Sequence, residues 1–216
     1  MRFRDRAEAG RKLAGLLSEL RDRGELPDPV VLALPRGGIT VAAPVARALG
    51  APLDVLVVRK IGAPHHQEFA VGALAADDPP LFDADTLDQL GLTEERLAPA
   101  VERERHELGR RERRYRGDRP PPDLRGRTVI VVDDGLATGA TARAALRHVW
   151  RRAPARVVLA VPVGAPDSLD QLTEEADAVV CPLRPAAFSA VGQWYDDFEQ
   201  LTDADVLDVL DALHAR

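Results

Sequence analysis

Several residue types and patterns are scarce in this chain, and each scarcity excludes something. There is one cysteine, Cys181, so no internal disulfide can form, and a reducing compartment is expected. No apolar run approaches about 18 residues, the length at which a membrane-spanning helix is suspected. The opening MRFRDRAEAGRK carries no apolar signal core, and a cytoplasmic location is the expectation. Lysine is confined to Lys12 and Lys60. Aromatic residues make up only 4% of the chain, so any local concentration of them is informative. A basic excess is absent as well: the formal net charge is −6, which argues against a general nucleic-acid binder. No G-x-S-x-G nucleophile elbow occurs, which removes an α/β-hydrolase-like enzyme from consideration.

What is present is organised around Thr128 to Thr141, TVIVVDDGLATGAT. Thr128 to Val132 are β-branched and almost wholly apolar, without polar alternation, as in a strand buried on both faces. Asp133 and Asp134 follow at its carboxyl end. Then come small residues, Gly135 to Thr141, and a helical pattern from Ala140, ATARAALRHVWRR. Small residues let backbone N–H groups approach an anion, and a helix N-terminus adds a favourable dipole. Thr138 and Thr141 can add hydroxyl donors. Two carboxylates cannot hold a phosphate, but they can accept hydrogen bonds from sugar hydroxyls, directly or through Mg²⁺ and its waters. Acids beside a phosphate cradle suggest a phosphorylated sugar. The plainer alternative is a strand-to-helix turn whose acids cap the helix.

The rest of the chain alternates strands with helices. Ala7 to Arg23 has leucines at helical spacing, and Gly24 and Pro27 end it. Val30 to Leu34 reads as a buried strand running into Pro35, Arg36, Gly37 and Gly38, then a small-residue helix whose first turn Pro44 is expected to distort. Two glycines after a strand permit close approach by a ligand, and Arg36 adds a positive charge; a purely structural turn fits the same residues. Leu53 to Val58 is a second strand ending at Arg59 and Lys60, followed by a loop, Ile61 to Glu68, and a short returning strand, Phe69 to Leu74. His65 and His66 are adjacent, a poor arrangement for one metal ion. Thr93 to Arg116 is a long helix with a thin apolar stripe, Leu97, Val101, Leu108 and Tyr115, and interleaved charges that suit a solvated helix laced with ion pairs. Arg156 to Val161 and Ala178 to Pro182 are further strands, and Pro166 to Ala176 and the segment from Thr202 are helices. The expected fold is α/β: a doubly wound, mainly parallel sheet of five to six strands, forming one domain over 1–216, with a helical insertion at about 81–122 and a hood at about 184–216. Both candidate anion loops fall at carboxyl ends of strands, where ligands bind in such sheets. Phe188, Trp194, Tyr195 and Phe198 form a dense aromatic group able to stack a flat base or, alternatively, to pack the segment against the core.

VIVVDDGLATGAT resembles the phosphoribosyl pyrophosphate (PRPP) signature of type I phosphoribosyltransferases: apolar residues, two acids, and a loop ending T-G-x-T. Gly135 stands where many members carry an apolar residue, and is expected to loosen the turn. The whole chain also resembles a bacterial group of predicted phosphoribosyltransferases of unsettled substrate, in the phrases RKIGAP, GAL and VDDGLATGAT and a WYDDF-like end. The resemblance implies that Asp133 and Asp134 hold the ribose 2- and 3-hydroxyls and that Ala137, Thr138, Gly139, Ala140 and Thr141 wrap the 5-phosphate. Arg36, Gly37 and Gly38 would bind pyrophosphate, with a cis peptide at Arg36–Gly37. Arg59 and Lys60 would stabilise the leaving group at the root of a closing loop, and Phe188, Trp194, Tyr195 and Asp196 would meet the acceptor. Mg²⁺ would be the cofactor, reached through Asp133 and Asp134. The implied reaction transfers the 5-phosphoribosyl group of PRPP to a nitrogenous acceptor and releases pyrophosphate; a PRPP-binding regulator without transferase activity is the alternative. Asp134 and Glu68 are candidates for a general base. The expected partners are small molecules, not nucleic acid or membrane, and a homodimer is among the open oligomeric states.

Overall fold

A computed structural model describes residues 2–64 and 66–214. Helix α1, Arg6–Asp22, starts where the Asp5 carboxylate accepts the Glu8 N–H, and it buries Leu13 and Leu17. β1 (Pro29–Ala33), α2 (Gly37–Leu49) and β2 (Leu53–Val55) follow. α2 runs without interruption through Pro44 to a left-handed Gly50.

β3 (Val58–Ala63), β4 (His66–Ala75) and β5 (Leu81–Phe82) form a separate antiparallel sheet in the order β3-β4-β5. The segment expected as a loop after Lys60 is therefore largely strand. His65 and the side chains of Gln67 and Glu68 lie outside the described residues, and with them the reading of Glu68 as a base and of a His65–His66 pair.

α3 (Ala84–Leu90) and α4 (Glu94–Arg116) come next. The thin stripe of α4 is buried: Leu97, Val101, Leu108 and Tyr115 all enter the main core. Its other faces carry ion pairs, including Glu107 with Arg110 and Arg111.

The chain then re-enters the main sheet through β6 (Thr128–Val132), α5 (Ala140–Trp150), β7 (Arg156–Ala160), α6 (Pro166–Leu172) and β8 (Ala178–Val180). A 3₁₀ turn at Val191–Trp194 and α7, Asp203–His214, complete it.

The five strands pair in parallel in the order β2-β1-β6-β7-β8. β6 is central and every residue in it is buried, as its unbroken apolar run requires. One core lies on the side of α1, α2, α4 and α7, the other under α5 and α6. The order reverses at β1 and β6, and the carboxyl ends of these neighbours mark the crevice where open α/β sheets take ligands.

Candidate active site

β6 delivers Asp133 and Asp134 to the carboxyl edge of the sheet, beside the turn that follows β1. The Leu34 N–H donates to the Val132 carbonyl at 2.9 Å, which ties the two strand ends together. Their closeness dictates the glycines. A Cβ on Gly38 would stand 2.7 Å from the Val132 carbonyl oxygen, and one on Gly37 would overlap the Asp134 carboxylate. The cis peptide lies at Pro35–Arg36, one residue before the expected Arg36–Gly37 bond. Gly37 already opens α2, and the Gly38 N–H donates back to Leu34, so the later bond belongs to the helical turn.

The two acids are not equivalent. Asp133 Oδ1 accepts the Asp134 N–H at 2.8 Å. Burial and the neighbouring Asp134 charge push the Asp133 carboxyl well above the usual range, against smaller pulls from Arg6 and Lys60. Burial also raises Asp134, but there Arg6 opposes it directly: Arg6 Nε donates to Asp134 Oδ2 at 2.8 Å. Arg6 is 9% exposed, donates through Nη1 to the Glu199 carbonyl, and lies 3.8 Å from the centroid of the Phe198 ring. This residue was missed in the sequence. It stands 128 positions from its partner, and nothing in its spacing marks it.

After the acids the chain bends into the cradle. Gly139 has φ +78°, a left-handed conformation that favours glycine, and it caps α5. The first bond inside α5 runs from the Arg143 N–H to the Gly139 carbonyl, leaving the amides of the first helical turn directed out of its end. α6 braces the loop from behind, with Ser168 Oγ donating to the Ala137 carbonyl at 2.6 Å. A pocket of about 150 Å³ results, lined by Ala137, Thr138, Gly139, Ala140 and Thr141 together with Asp133, Lys60 and Val191. Gly135 does not serve as a loose hinge. A Cβ there would lie 2.5 Å from Val191, so its smallness admits the 3₁₀ turn against the cradle.

Arg59 and Lys60 part company because consecutive side chains of a strand point to opposite faces. Lys60 is exposed, lines the cradle pocket and acts electrostatically on Asp133. Arg59 turns the other way and holds Glu104 of α4, with Nε and Nη2 each 2.8 Å from Oε2. Of the two bases expected at the leaving group, the structure brings Lys60 to the cradle and pairs Arg59 with Glu104, which fastens β3 to α4.

A family model described as phosphoribosyl transferase domain matches residues 3–193. The chain belongs to the phosphoribosyl transferase family. Two curated relatives from strains of Mycobacterium tuberculosis, each named "Putative phosphoribosyl transferase", are 43% identical over 212 residues, 98% of this chain and 47% of theirs. The chain thus spans about half the length of the curated relatives it matches. A uracil phosphoribosyltransferase from Paenarthrobacter aurescens is 40% identical over 58 residues, covering 27% of this chain and 28% of its own. A crystal structure of a protein from Thermus thermophilus is 45% identical, covers 97% of this chain and 98% of its own, and superposes with a TM-score of 0.81.

In this phosphoribosyl transferase chain the aromatic group after β8 divides. Tyr195 is 1% exposed, packs 5.5 Å from Phe3 between ring centroids, and donates its hydroxyl to the Asp134 carbonyl. It cannot offer a face to an acceptor, and the reading of Tyr195 as an acceptor wall is corrected: it is a buried prop for the acid pair. Phe188 and Trp194 are half-buried around it, and Asp196 is exposed opposite Arg2. The segment before α1 is knitted into this group, with the Phe3 N–H donating to the Trp194 carbonyl and the Asp196 N–H to the Phe3 carbonyl, each at 2.8 Å.

Asp77, Asp78 and His148 also cluster, but Asp78 is already bridged by His148 and Arg151, each within 3.1 Å, and Arg152 lies near it. That is a charge-compensated clamp, which does not suit a hard divalent cation seeking free oxygens. Among the described residues, no helix is long and apolar enough to cross a membrane.

Proposed function

We propose that the chain transfers the 5-phosphoribosyl group of PRPP to a nitrogenous acceptor, a nucleobase or related heterocycle, with release of pyrophosphate. The observation that carries this reading is the placement of two carboxylates at the end of β6, between a small-residue cradle capped by left-handed Gly139 and the glycine turn after β1. In this reading Asp133 and Asp134 accept hydrogen bonds from the ribose 2- and 3-hydroxyls. Amides of Ala137 to Thr141 and the hydroxyls of Thr138 and Thr141 take the 5-phosphate. The Arg36 to Gly38 turn and Lys60 face pyrophosphate, and Phe188, Trp194 and Asp196 flank the acceptor.

The transition state of such a transfer is oxocarbenium-like at the sugar carbon while negative charge collects on the leaving group, so positioning and electrostatics supply the rate. Asp133 makes no described side-chain hydrogen bond beyond the Asp134 N–H, so its carboxylate can serve a hard cation through water. Mg²⁺ bound there would neutralise pyrophosphate charge. Lys60 would add a mobile positive charge from the opposite wall, and Arg6 would keep Asp134 ionised and aimed.

The decisive experiment is a pyrophosphate-release screen with PRPP, Mg²⁺ and a panel of nucleobases and other nitrogen nucleophiles. Acceptor-dependent release is the expected result. PRPP binding without release for any acceptor would instead indicate a PRPP-sensing protein.

A further inference from the structure

The antiparallel sheet and α5 enclose a second, larger cavity of about 470 Å³. This is within the roughly 300–1,000 Å³ range of small-molecule sites. Its apolar wall comes from β4 and β5, where Phe69 is 52% exposed and Phe82 half-buried. An exposed phenylalanine facing a cavity loses the usual benefit of burial, and a flat ligand would restore it. The facing wall is basic. Arg143 and Arg147, one turn apart on α5, both line the cavity, and Lys60 lines it from the ribbon.

Charge is only partly compensated there. Glu175 accepts two bonds from Arg147, at 3.1 and 2.8 Å, and lies 3.5 Å from Arg143 Nε, while Gln171 Oε1 accepts from Arg143 Nη2 at 3.2 Å. Among the described residues of the lining, Asp83 is the only acid, against three bases. Arg143 Nε is buried and has no hydrogen-bond partner, because the Glu175 approach does not have hydrogen-bond geometry. A buried donor left in this state is costly unless an acceptor arrives.

The cavity shares Lys60, Thr138 and Ala140 with the phosphate cradle. Asp133, Asp134 and the Arg36 to Gly38 turn do not line it. A molecule held there would sit on the phosphate side of the site, away from the sugar carbon flanked by the acids and the glycine turn. That placement does not suit an acceptor. We propose that this cavity is a second ligand site, distinct from the sites for PRPP and acceptor, that takes a nucleoside monophosphate: the flat base against Phe69 and Phe82, the phosphate toward Arg143 and Arg147. A small aromatic acid shares the chemistry but would leave most of the volume unfilled. Because Lys60 faces both cavities, the occupant couples to the reaction site through one side chain, and the coupling is reciprocal.

The test titrates adenosine monophosphate into chain already saturated with ribose 5-phosphate, followed by calorimetry. Saturable binding with one site per chain is expected. Adenosine, inorganic phosphate and benzoate should each bind about tenfold more weakly or worse, since each lacks part of the chemistry. Phe69→Leu and Arg143→Gln, both at least partly exposed positions, should each weaken the nucleotide by about tenfold while leaving ribose 5-phosphate affinity unchanged. The proposal is overturned if the nucleotide binds only by displacing ribose 5-phosphate, or if both variants bind it like the wild type. Failure of ribose 5-phosphate itself to bind would strike the cradle reading alone, and the same variants titrated without it would still decide the second site.

Discussion

At the scale of single residues, Gly139 and Asp133 carry opposite tensions. Gly139 sits at φ +78°, and a Cβ there would already lie 3.3 Å from Leu172. Gly139→Val should cost about 1–2 kcal/mol of stability from backbone handedness and abolish ribose 5-phosphate binding. Melting temperature and calorimetry on the same sample separate the two effects. Asp133 behaves otherwise, because its folded pKa is raised by burial and by Asp134. A carboxyl with a raised folded pKa destabilises the fold progressively as pH climbs from its unfolded value through the folded one. Asp133→Asn should therefore stabilise the ligand-free protein at neutral pH, with the gain vanishing as pH falls below about 4, while PRPP affinity is lost. A variant that is no more stable than wild type at neutral pH would refute the raised pKa. These residues were legible in the sequence because the acids, cradle and helix start form one contiguous stretch. Arg6 was not, since a contact made across 128 positions leaves no local pattern.

Elements explain the two misreadings. Arg59 and Lys60 look like one basic unit in sequence, but strand alternation sends one to α4 and the other to the cradle. Seeing that requires knowing that the segment is a strand, and its Gly62, its Pro64 and the lack of a strong apolar pattern suggested a loop. Likewise, aromatic density after β8 says nothing about which ring faces inward, and Tyr195 proved to be the buried one. Helix α4, unremarkable as a charged helix, becomes the backing for the ribbon that carries Lys60. The Arg59–Glu104 pair is about three-quarters buried on each side, so it should exceed the contribution of a surface pair, which is near 0–1 kcal/mol. Glu104→Gln should speed amide exchange in β3 and β4 by about fivefold, the factor for roughly 1 kcal/mol. It should leave β6 and β7 unchanged. Uniform acceleration across all strands would mean that α4 supports the whole fold rather than the ribbon. In wild type, exchange over Ile61 to Glu68 should slow when PRPP and acceptor are both present, as expected for an arm that closes over the reactants.

Across the whole molecule, the acid pair is assembled from pieces far apart in the chain. Arg6 comes from the start of α1, Gly37 from the start of α2, Asp134 from the end of β6, and the Tyr195 hydroxyl and Glu199 carbonyl from the segment before α7. The parallel sheet and the 2–6 segment bring these together, so the electrostatics of the site and the stability of the fold share one ion pair. The side chains of that pair are only 10% and 15% exposed, so removing one partner strands a buried charge. Arg6→Gln should cost about 3–5 kcal/mol at neutral pH. The sign of the pH dependence follows: without Arg6, the Asp134 carboxyl rises further, and the fold recovers stability as acid protonates it. The loss should thus shrink as pH falls from neutral toward about 4, the ordinary carboxylate value. Adding Asp134→Asn to Arg6→Gln removes the stranded charge, and the double variant should be more stable than Arg6→Gln alone. Urea unfolding of the two single variants and the double variant measures this coupling directly. Strictly additive losses would show that Arg6 contributes through its packing under Phe198 and its bond to Glu199, and that Asp134 owes its charge state to something other than this arginine.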